Sequence, residues 1–336
     1  DVPDQLAGEY KFIPGQYLTL KTDIGGEEIR RTYSICSGLH DEELRVAIRK
    51  VDGGLFSSFA NDDLAPGAEL DVMTPDGRFT LEPSAGHAGR YVAFAAGSGI
   101  TPIISIAKAV LQDEPNSTFT LVYGNRSAGT MIFREELEDL KNIYHSRFSL
   151  VHVLSREMQE APMLSGRIDA EKAAFFADKL LNPEGTDAFY LCGPEEMIQA
   201  VRSTLEDKGV EPKKIRMELF TPADGGNAKP KPVLTDEQKS KLAKRQIAVV
   251  IDGRQTEFEM LDDGSNILDA AMDVRSDLPY ACKGGMCCTC RAKLIEGEVT
   301  MEKTYALEPE EIEAGYVLTC QAVPTTDRVK VDFDQR

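Results

Sequence analysis

Four cysteines in this chain are spaced for redox chemistry. Cys282, Cys287 and Cys290 follow the pattern C-x4-C-x2-C, and Cys320 stands 30 positions after Cys290. Thiolates at that spacing suit a plant-type [2Fe–2S] cluster, in which three ligands from one tight loop and a fourth from elsewhere converge on two irons. Gly284 and Gly285 let the loop curl, so that backbone N–H groups can point at the sulfurs. A structural zinc site is the competing reading, but zinc knuckles pair cysteines as C-x2-C twice, and the interval from Cys282 to Cys287 is too long for that. Cys288 is a further thiol inside the loop and reads as a small residue that happens to be cysteine.

Other short motifs suit nucleotides. Arg31-Thr32-Tyr33-Ser34 sits in an alternating run, so Arg31 and Tyr33 share one strand face, a cation for a pyrophosphate beside an aromatic for a flat ring. A solvated pair is the plainer alternative. Gly53 and Gly54 lead into Leu55-Phe56-Ser57-Ser58, which reads either as a helix N-terminus able to hold phosphate oxygens or as a turn and cap. Gly97-Ser98-Gly99-Ile100-Thr101-Pro102 follows an apolar run and opens a helix, where small residues admit a backbone close to a pyrophosphate and Pro102 suits the first turn. Tyr123-Gly124-Asn125-Arg126 ends the next strand-like run; an acid there would bind the ribose hydroxyl of NADH, whereas Arg126 and Ser127 favour the 2′-phosphate of NADPH. Cys192-Gly193-Pro194 lies between strand and helix. The four histidines show no ligand-like spacing, and hydride and electron transfer need no Ser-His-Asp triad.

The elements that must carry these motifs divide the 336 residues into domains, since one hydrophobic core rarely grows to that size. Over residues 1–86 the runs Tyr17 to Leu20, Arg30 to Ile35, Leu44 to Lys50 and Glu69 to Met73, jointed by Gly and Pro, predict a small antiparallel β-barrel. Only one strand-like run precedes the first motif after Asp1-Val2-Pro3, so an N-terminal strand is expected to be missing. Residues 87–221 alternate strand and helix patterns: Tyr91 to Ala96, Ile103 to Leu111, Thr118 to Tyr123, Arg134 to Leu140, Phe148 to Leu154, Phe189 to Cys192 and Met197 to Leu205. That is the signature of a parallel α/β sheet. Residues 222–245 hold three prolines, two adjacent glycines and six Lys or Arg against three acids, which reads as a linker. Residues 246–336 resume with Ile247 to Ile251, a helical stretch at Ile267 to Met272 and the cysteine loop. No internal repeat is visible.

Residues 10–222 resemble the ferredoxin–NADP reductase superfamily, through the segments PGQY, RTYS, GLFS, GSGITP, YGNR and CGPEEM in that order. The resemblance implies that Arg31, with Thr32, binds the FAD pyrophosphate, that Tyr33 packs on the isoalloxazine, and that Ser34 hydrogen-bonds near the flavin nitrogen that receives hydride. Gly54, Phe56 and Ser57 would hold the pyrophosphate from the helix side, and Ala47, Ile48 and Arg49 complete the flavin set. Gly97, Gly99, Thr101, Pro102, Asn125, Arg126, Gly193 and Pro194 would hold the nicotinamide nucleotide, with Cys192 beside its ring. Phe220 would shield the flavin until nicotinamide displaces it; Cys192 and Phe220 as ordinary core residues are the alternative. The C-terminal domain would be an α+β β-grasp ferredoxin.

NADPH releases two electrons together and an iron–sulfur cluster accepts one, so a flavin between them would hold the second. Within the superfamily a C-terminal ferredoxin domain marks reductase components of bacterial oxygenases. The stretch from Cys282 to Ala322 is most similar to reductase subunits of phenylacetyl-CoA epoxidase complexes, which implies a separate di-iron oxygenase as acceptor. Reductases of steroid 9α-hydroxylases and of Rieske oxygenases share the architecture. From another class, an iron–sulfur redox sensor without flavin would have no need of Arg31, Tyr33 or the phosphate loops.

The totals limit the partners. With 56 acidic and 38 basic residues the net charge is −18, which repels nucleic acid and anionic membranes and favours a basic protein partner. Residues 246–336, with 18 acids and 9 bases, carry half of it. Apolar runs fall short of the roughly 20 residues that span a bilayer. Seven bunched cysteines and no secretion-type opening point to a reducing cytoplasm.

Overall fold

The computed structural model describes residues 1–220 and 242–335. Most of the expected linker, 222–241, lies outside the described residues, and Lys244 and Arg245 already belong to a strand. The chain gathers into two compact units: residues 1–20, 33–49 and 70–220, and residues 21–32, 50–69 and, of the described C-terminal part, 242–335.

The first strands, β1 (Tyr17–Ile24) and β2 (Glu27–Ser34), turn through Gly25 and Gly26. Both glycines have positive φ, 68° and 87°, as a tight two-residue hairpin requires. With β3 (Asp71–Val72) they form an antiparallel sheet of order β2-β1-β3. The strand expected at 44–50 is not a ladder: it meets the sheet by one bridge, Ile35 to Val46. The reason is local. Ser37 Oγ accepts the Arg45 N–H at 2.8 Å, taking a donor that a ladder would need. Helix α1 (Leu55–Asp62) follows Gly54, its N-cap.

The parallel sheet is built from β4 (Arg90–Ala96), β5 (Thr118–Asn125), β6 (Phe148–Leu154), β7 (Ala188–Gly193) and β8 (Ile215–Leu219), in the order β6-β5-β4-β7-β8. Connecting helices are α2 (Ile100–Asp113), α3 (Arg134–Ile143), α4 (Ala170–Lys179) and α5 (Glu195–Asp207). The central strand β4 is an unbroken buried run from Tyr91 to Ala95, as expected where helices cover both faces. Helix α2 is apolar and buried nearly all round, with Ile100, Ile103, Ile104, Ile106 and Val110 in the core. Its one buried charge, Lys108, is paired with Asp41 at 2.6 Å and Glu136 at 2.5 Å, and Arg45 reaches Glu136 at 3.0 Å. The two acids compensate a buried ammonium that without partners would be strongly destabilising. Strand order reverses at β4, so the ligand crevice of such a sheet opens at the carboxyl end of β4.

The C-terminal sheet takes β9 (Lys244–Ile251), β10 (Arg254–Leu261), β11 (Arg291–Glu296), β13 (Tyr316–Leu318) and β15 (Arg328–Asp332), in the order β10-β9-β15-β11-β13. Only the β9–β15 pair is parallel. Helix α6 (Ile267–Met272) packs Ile267, Leu268 and Ala271 into its core, the mixed sheet and helix of a β-grasp. A two-stranded ladder, β12 (Val299–Met301) with β14 (Ala322–Pro324), and the short helix α7 (Pro309–Glu313) complete it. No helix among the described residues is long and apolar enough to cross a membrane.

Candidate cofactor sites

The loop between α6 and β11 carries three of the four predicted thiols, and they come in pairs. Cys282 and Cys287 have their sulfurs 3.2 Å apart, and Cys290 and Cys320 lie close enough for each thiol to shift the other. Two pairs of thiols suit a cluster in which each of two irons takes two terminal sulfurs. No single point among the described residues gathers three ligating side chains as a mononuclear metal site would. Cys287, Cys290 and Cys320 are buried. The hydrogen bond with Cys287 holds the Cys282 thiol well below its ordinary value, helped against burial by the N–H groups of Gly284, Met286 and Cys287. The Gly284 N–H donates to Cys282 Sγ at 3.3 Å. Gly285 has φ +74°, and a Cβ there would lie 2.8 Å from the Lys303 carbonyl. Thr319, next to the fourth predicted thiol Cys320, ties it to the loop: its N–H and Oγ1 both donate to the Cys290 carbonyl, at 3.1 and 2.9 Å. Cys288 instead donates to the Ala306 carbonyl at 2.9 Å.

At the carboxyl end of β4 the predicted nucleotide residues converge. Gly97 has φ +55°, and Gly99 is pressed against β7: a Cβ on it would lie 2.2 Å from the Cys192 carbonyl oxygen. Thr101 Oγ1 ties the turn by donating to the Ser98 carbonyl at 3.1 Å, with Pro102 in the first turn of α2. Arg49 comes within 4.0 Å of the Cβ position of Gly97. Gly193 ends β7 and Pro194 caps α5. Asn125 ends β5, and its buried Nδ2 has no acceptor among the described residues, while the Tyr123 hydroxyl donates to the Gly97 and Ile132 carbonyls. An orphaned buried donor beside a cradle that tolerates no side chain fits a polar nucleotide. Arg126 is exposed next to Arg156, whose N–H donates to the Arg126 carbonyl at 2.8 Å.

Three side chains meet beside this crevice. Ser34 Oγ lies 3.3 Å from Glu218 Oε2, and Glu218 stands opposite Cys192 in the β7–β8 register. Glu218 keeps some surface, but its carboxyl is packed round by protein, and burial pushes it up to about 8 against the Ser34 hydrogen bond. Burial raises the Cys192 thiol as well, with Glu218 adding to the effect. Phe220 follows just beyond β8 and packs, half-buried, against the core.

The remaining predicted residues lie on the first sheet and α1. Arg31, Thr32 and Tyr33 are consecutive on β2; the Arg31 guanidinium donates to the Arg30 carbonyl at 2.8 Å and pairs with no carboxylate among the described residues. That leaves a positive charge suited to a pyrophosphate. Ala47 packs on the core, and Ile48 and Arg49 follow it, with Ile48 half-buried and Arg49 exposed. Phe56 is buried, and Ser57 Oγ accepts the Val51 N–H at 3.1 Å, so the serine hydroxyl holds the turn. What the first turn of α1 offers an anion is therefore its backbone N–H groups.

Comparison with known proteins agrees with each region. Profiles for an oxidoreductase FAD-binding domain, an oxidoreductase NAD-binding domain and a 2Fe-2S iron-sulfur cluster binding domain match residues 4–81, 94–203 and 249–325. A component of the 1,2-phenylacetyl-CoA epoxidase of Escherichia coli is 44% identical over 335 residues, covering 100% of this chain and 92% of that protein. The chain belongs to the ferredoxin–NADP reductase family. The ferredoxin reductase component of a 3-ketosteroid-9-alpha-monooxygenase from Rhodococcus rhodochrous is 34% identical, over 99% of this chain and 91% of its own length. Phthalate dioxygenase reductase shares the fold, with a TM-score of 0.58 at 22% identity, over 96% of this chain and 88% of that one.

As a ferredoxin–NADP reductase family member with FAD, NAD and [2Fe–2S] domains, the chain is a reductase component of an oxygenase system. Two residues of its crevice escaped the sequence reading, Glu218 and Arg156. The crevice also yields a prediction. Gly99→Ala forces a methyl group onto the Cys192 carbonyl, so overpacking is expected to cost about 3 kcal/mol of stability. Thermal denaturation reads that loss, and titration with NADPH should show weakened binding in the same variant.

Proposed function

We propose that this reductase passes electrons from NADPH through FAD to its [2Fe–2S] cluster and on to a separate di-iron oxygenase, with phenylacetyl-CoA epoxidase the favoured partner. The observation that carries the reading is the pairing of Cys282 with Cys287 and Cys290 with Cys320 in the same chain as the crevice at Gly97 and Gly99. A hydride donor and a one-electron acceptor on one polypeptide require a flavin between them, and bound FAD supplies that conversion. Similarity to the epoxidase component over the whole chain, at 44% identity, supports the choice of partner.

The chain's own residues bind, orient and hold protons. Arg31 and the first turn of α1 take the FAD pyrophosphate, and Tyr33 lies against the ring. Gly97, Gly99, Thr101, Pro102, Gly193 and Pro194 receive the nicotinamide nucleotide, with Asn125 donating to it. Ser34 and Cys192 flank the hydride path, and Phe220 covers the flavin face until nicotinamide arrives. Below pH 8 the protonated Glu218 carboxyl can donate to Ser34 Oγ, leaving the serine hydroxyl hydrogen free to turn to the flavin nitrogen. Arg126 and Arg156 bind the 2′-phosphate.

Arg126→Ala is expected to raise the Kd for NADPH about tenfold, the worth of one charge-assisted hydrogen bond, and to leave NADH binding nearly unchanged. Paired titrations measure it. An anaerobic visible spectrum tests the whole reading: flavin and [2Fe–2S] bands should both be present and both bleach with NADPH. If flavin is absent, an iron–sulfur sensor replaces the reductase. Activity with purified di-iron, Rieske and steroid-hydroxylating oxygenases decides the partner.

A further inference from the structure

The residue before Arg31 makes a contact that neither flavin binding nor cluster ligation uses. Arg30 lies with its guanidinium carbon 4.2 Å from the centroid of the Tyr280 ring. Glu28, next on the same face of β2, fixes that guanidinium through Nε at 2.8 Å and Nη2 at 2.7 Å, and Tyr280 Oη approaches the same carboxylate oxygen at 3.5 Å. Lys21 adds a second cation to Glu28 at 3.4 Å. The Arg30 side chain is 13% exposed and Tyr280 6% exposed. Lys283 Nζ also stands 4.8 Å from the Tyr280 ring, anchored at 2.9 Å to Asp269 of α6. A cation on an aromatic face, desolvated and held by a carboxylate, is a directional contact.

Its position gives it a use. Tyr280 is two residues before the cluster ligand Cys282, and Arg30 is covalently next to Arg31, whose side chain leaves the opposite face of the strand. We propose that Glu28, Arg30 and Tyr280 form a seat by which the β1–β2 hairpin holds the entry to the cluster loop, with Arg30 a positioning residue for electron arrival at the cluster. The inference rests on the electron path proposed above. With FAD and the cluster bound, each hydride would bring two electrons, and the cluster would take them one at a time, the first passing on to the acceptor protein before the second arrives. Holding Tyr280 ties the entry to the cluster loop to the hairpin that carries Arg31.

The test compares wild type, Arg30→Ala and Arg30→Lys as holoenzymes. Turnover with ferricyanide, which draws electrons from the flavin, should stay within twofold of wild type in both variants. In Arg30→Ala, cluster reduction by NADPH in stopped flow and turnover with cytochrome c should fall about tenfold, and amide exchange over 278–283 should speed up about fivefold, as for a lost cation–π contact. Arg30→Lys, which keeps a cation over the ring, should restore most of both. Unchanged cluster reduction with unchanged exchange overturns the seat, and so does an equal fall with ferricyanide, which would assign Arg30 to flavin binding. If wild type itself carries no flavin, the electron path fails, and the exchange comparison alone then decides whether the seat exists.

Discussion

Cys287→Ser is expected to abolish the [2Fe–2S] cluster and to lower cytochrome c reduction by at least about a hundredfold, while NADPH-driven ferricyanide reduction stays near wild type. Serine oxygen is a poor replacement for thiolate on iron, and Cys287 is the partner of Cys282 at 3.2 Å and buried, so no neighbouring group can take its place. Cys288 is the adjacent candidate, but its sulfur is committed to the Ala306 carbonyl. Loss of the cluster EPR signal checks the first half of the expectation, and the two acceptor assays check the second. If the variant also loses ferricyanide turnover, the order flavin then cluster is wrong.

Glu218→Gln is expected to remove a pH dependence. The Glu218 carboxyl is raised from 4.5 to about 8, chiefly by burial, so between those values the folded chain holds a proton that the unfolded chain has released. Stability therefore falls as pH climbs through that window, and the loss is complete above about pH 8; for a shift of this kind it is of the order of a few kcal/mol. Glutamine, always neutral, should flatten the melting temperature from pH 5 to 9. In the loaded enzyme, wild-type hydride transfer should slow above pH 8, as Glu218 ionises and draws the Ser34 hydroxyl towards itself. The variant should show a pH-independent rate over that range, and a surviving break near 8 would assign the titration to another group.

These two residues mark what the sequence made legible. The proposed cluster cysteines and the glycine turn are local patterns: thiol spacing within one loop, or a backbone that must pass close to another strand, leaves its trace in neighbouring residues. Gly99 could be picked out because only glycine fits beneath the Cys192 carbonyl. Glu218 could not, since an acid on an edge strand reads as a solvated side chain, and its partner Ser34 is 184 positions away. Arg156 was hidden for the same reason, as it becomes a neighbour of Arg126 only when β6 pairs with β5. The central strands of the parallel sheet and three of its helices were legible, because long buried runs such as Tyr91 to Ala95 leave little choice, whereas α4 and the edge strand β8, with few buried residues each, were not read. The segment 44–50 was less so: its alternation is real, but the Ser37 hydroxyl intercepts the Arg45 N–H. Likewise the hydroxyl of Ser57 serves its own turn, which a motif cannot reveal.

The placing of β15 has a consequence for how the protein is made. This strand, Arg328–Asp332, lies between β9 and β11 in the interior of the C-terminal sheet, yet it is synthesised some 80 residues after β9, the strand it joins in parallel. While β9 to β14 leave the ribosome, the sheet lacks an interior member, and Val329 and Val331 are absent from its core. Iron loading should thus wait until translation has passed Asp332. A chain cut before Arg328 should keep its flavin and nicotinamide regions and be a substrate for proteases from Lys244 onward.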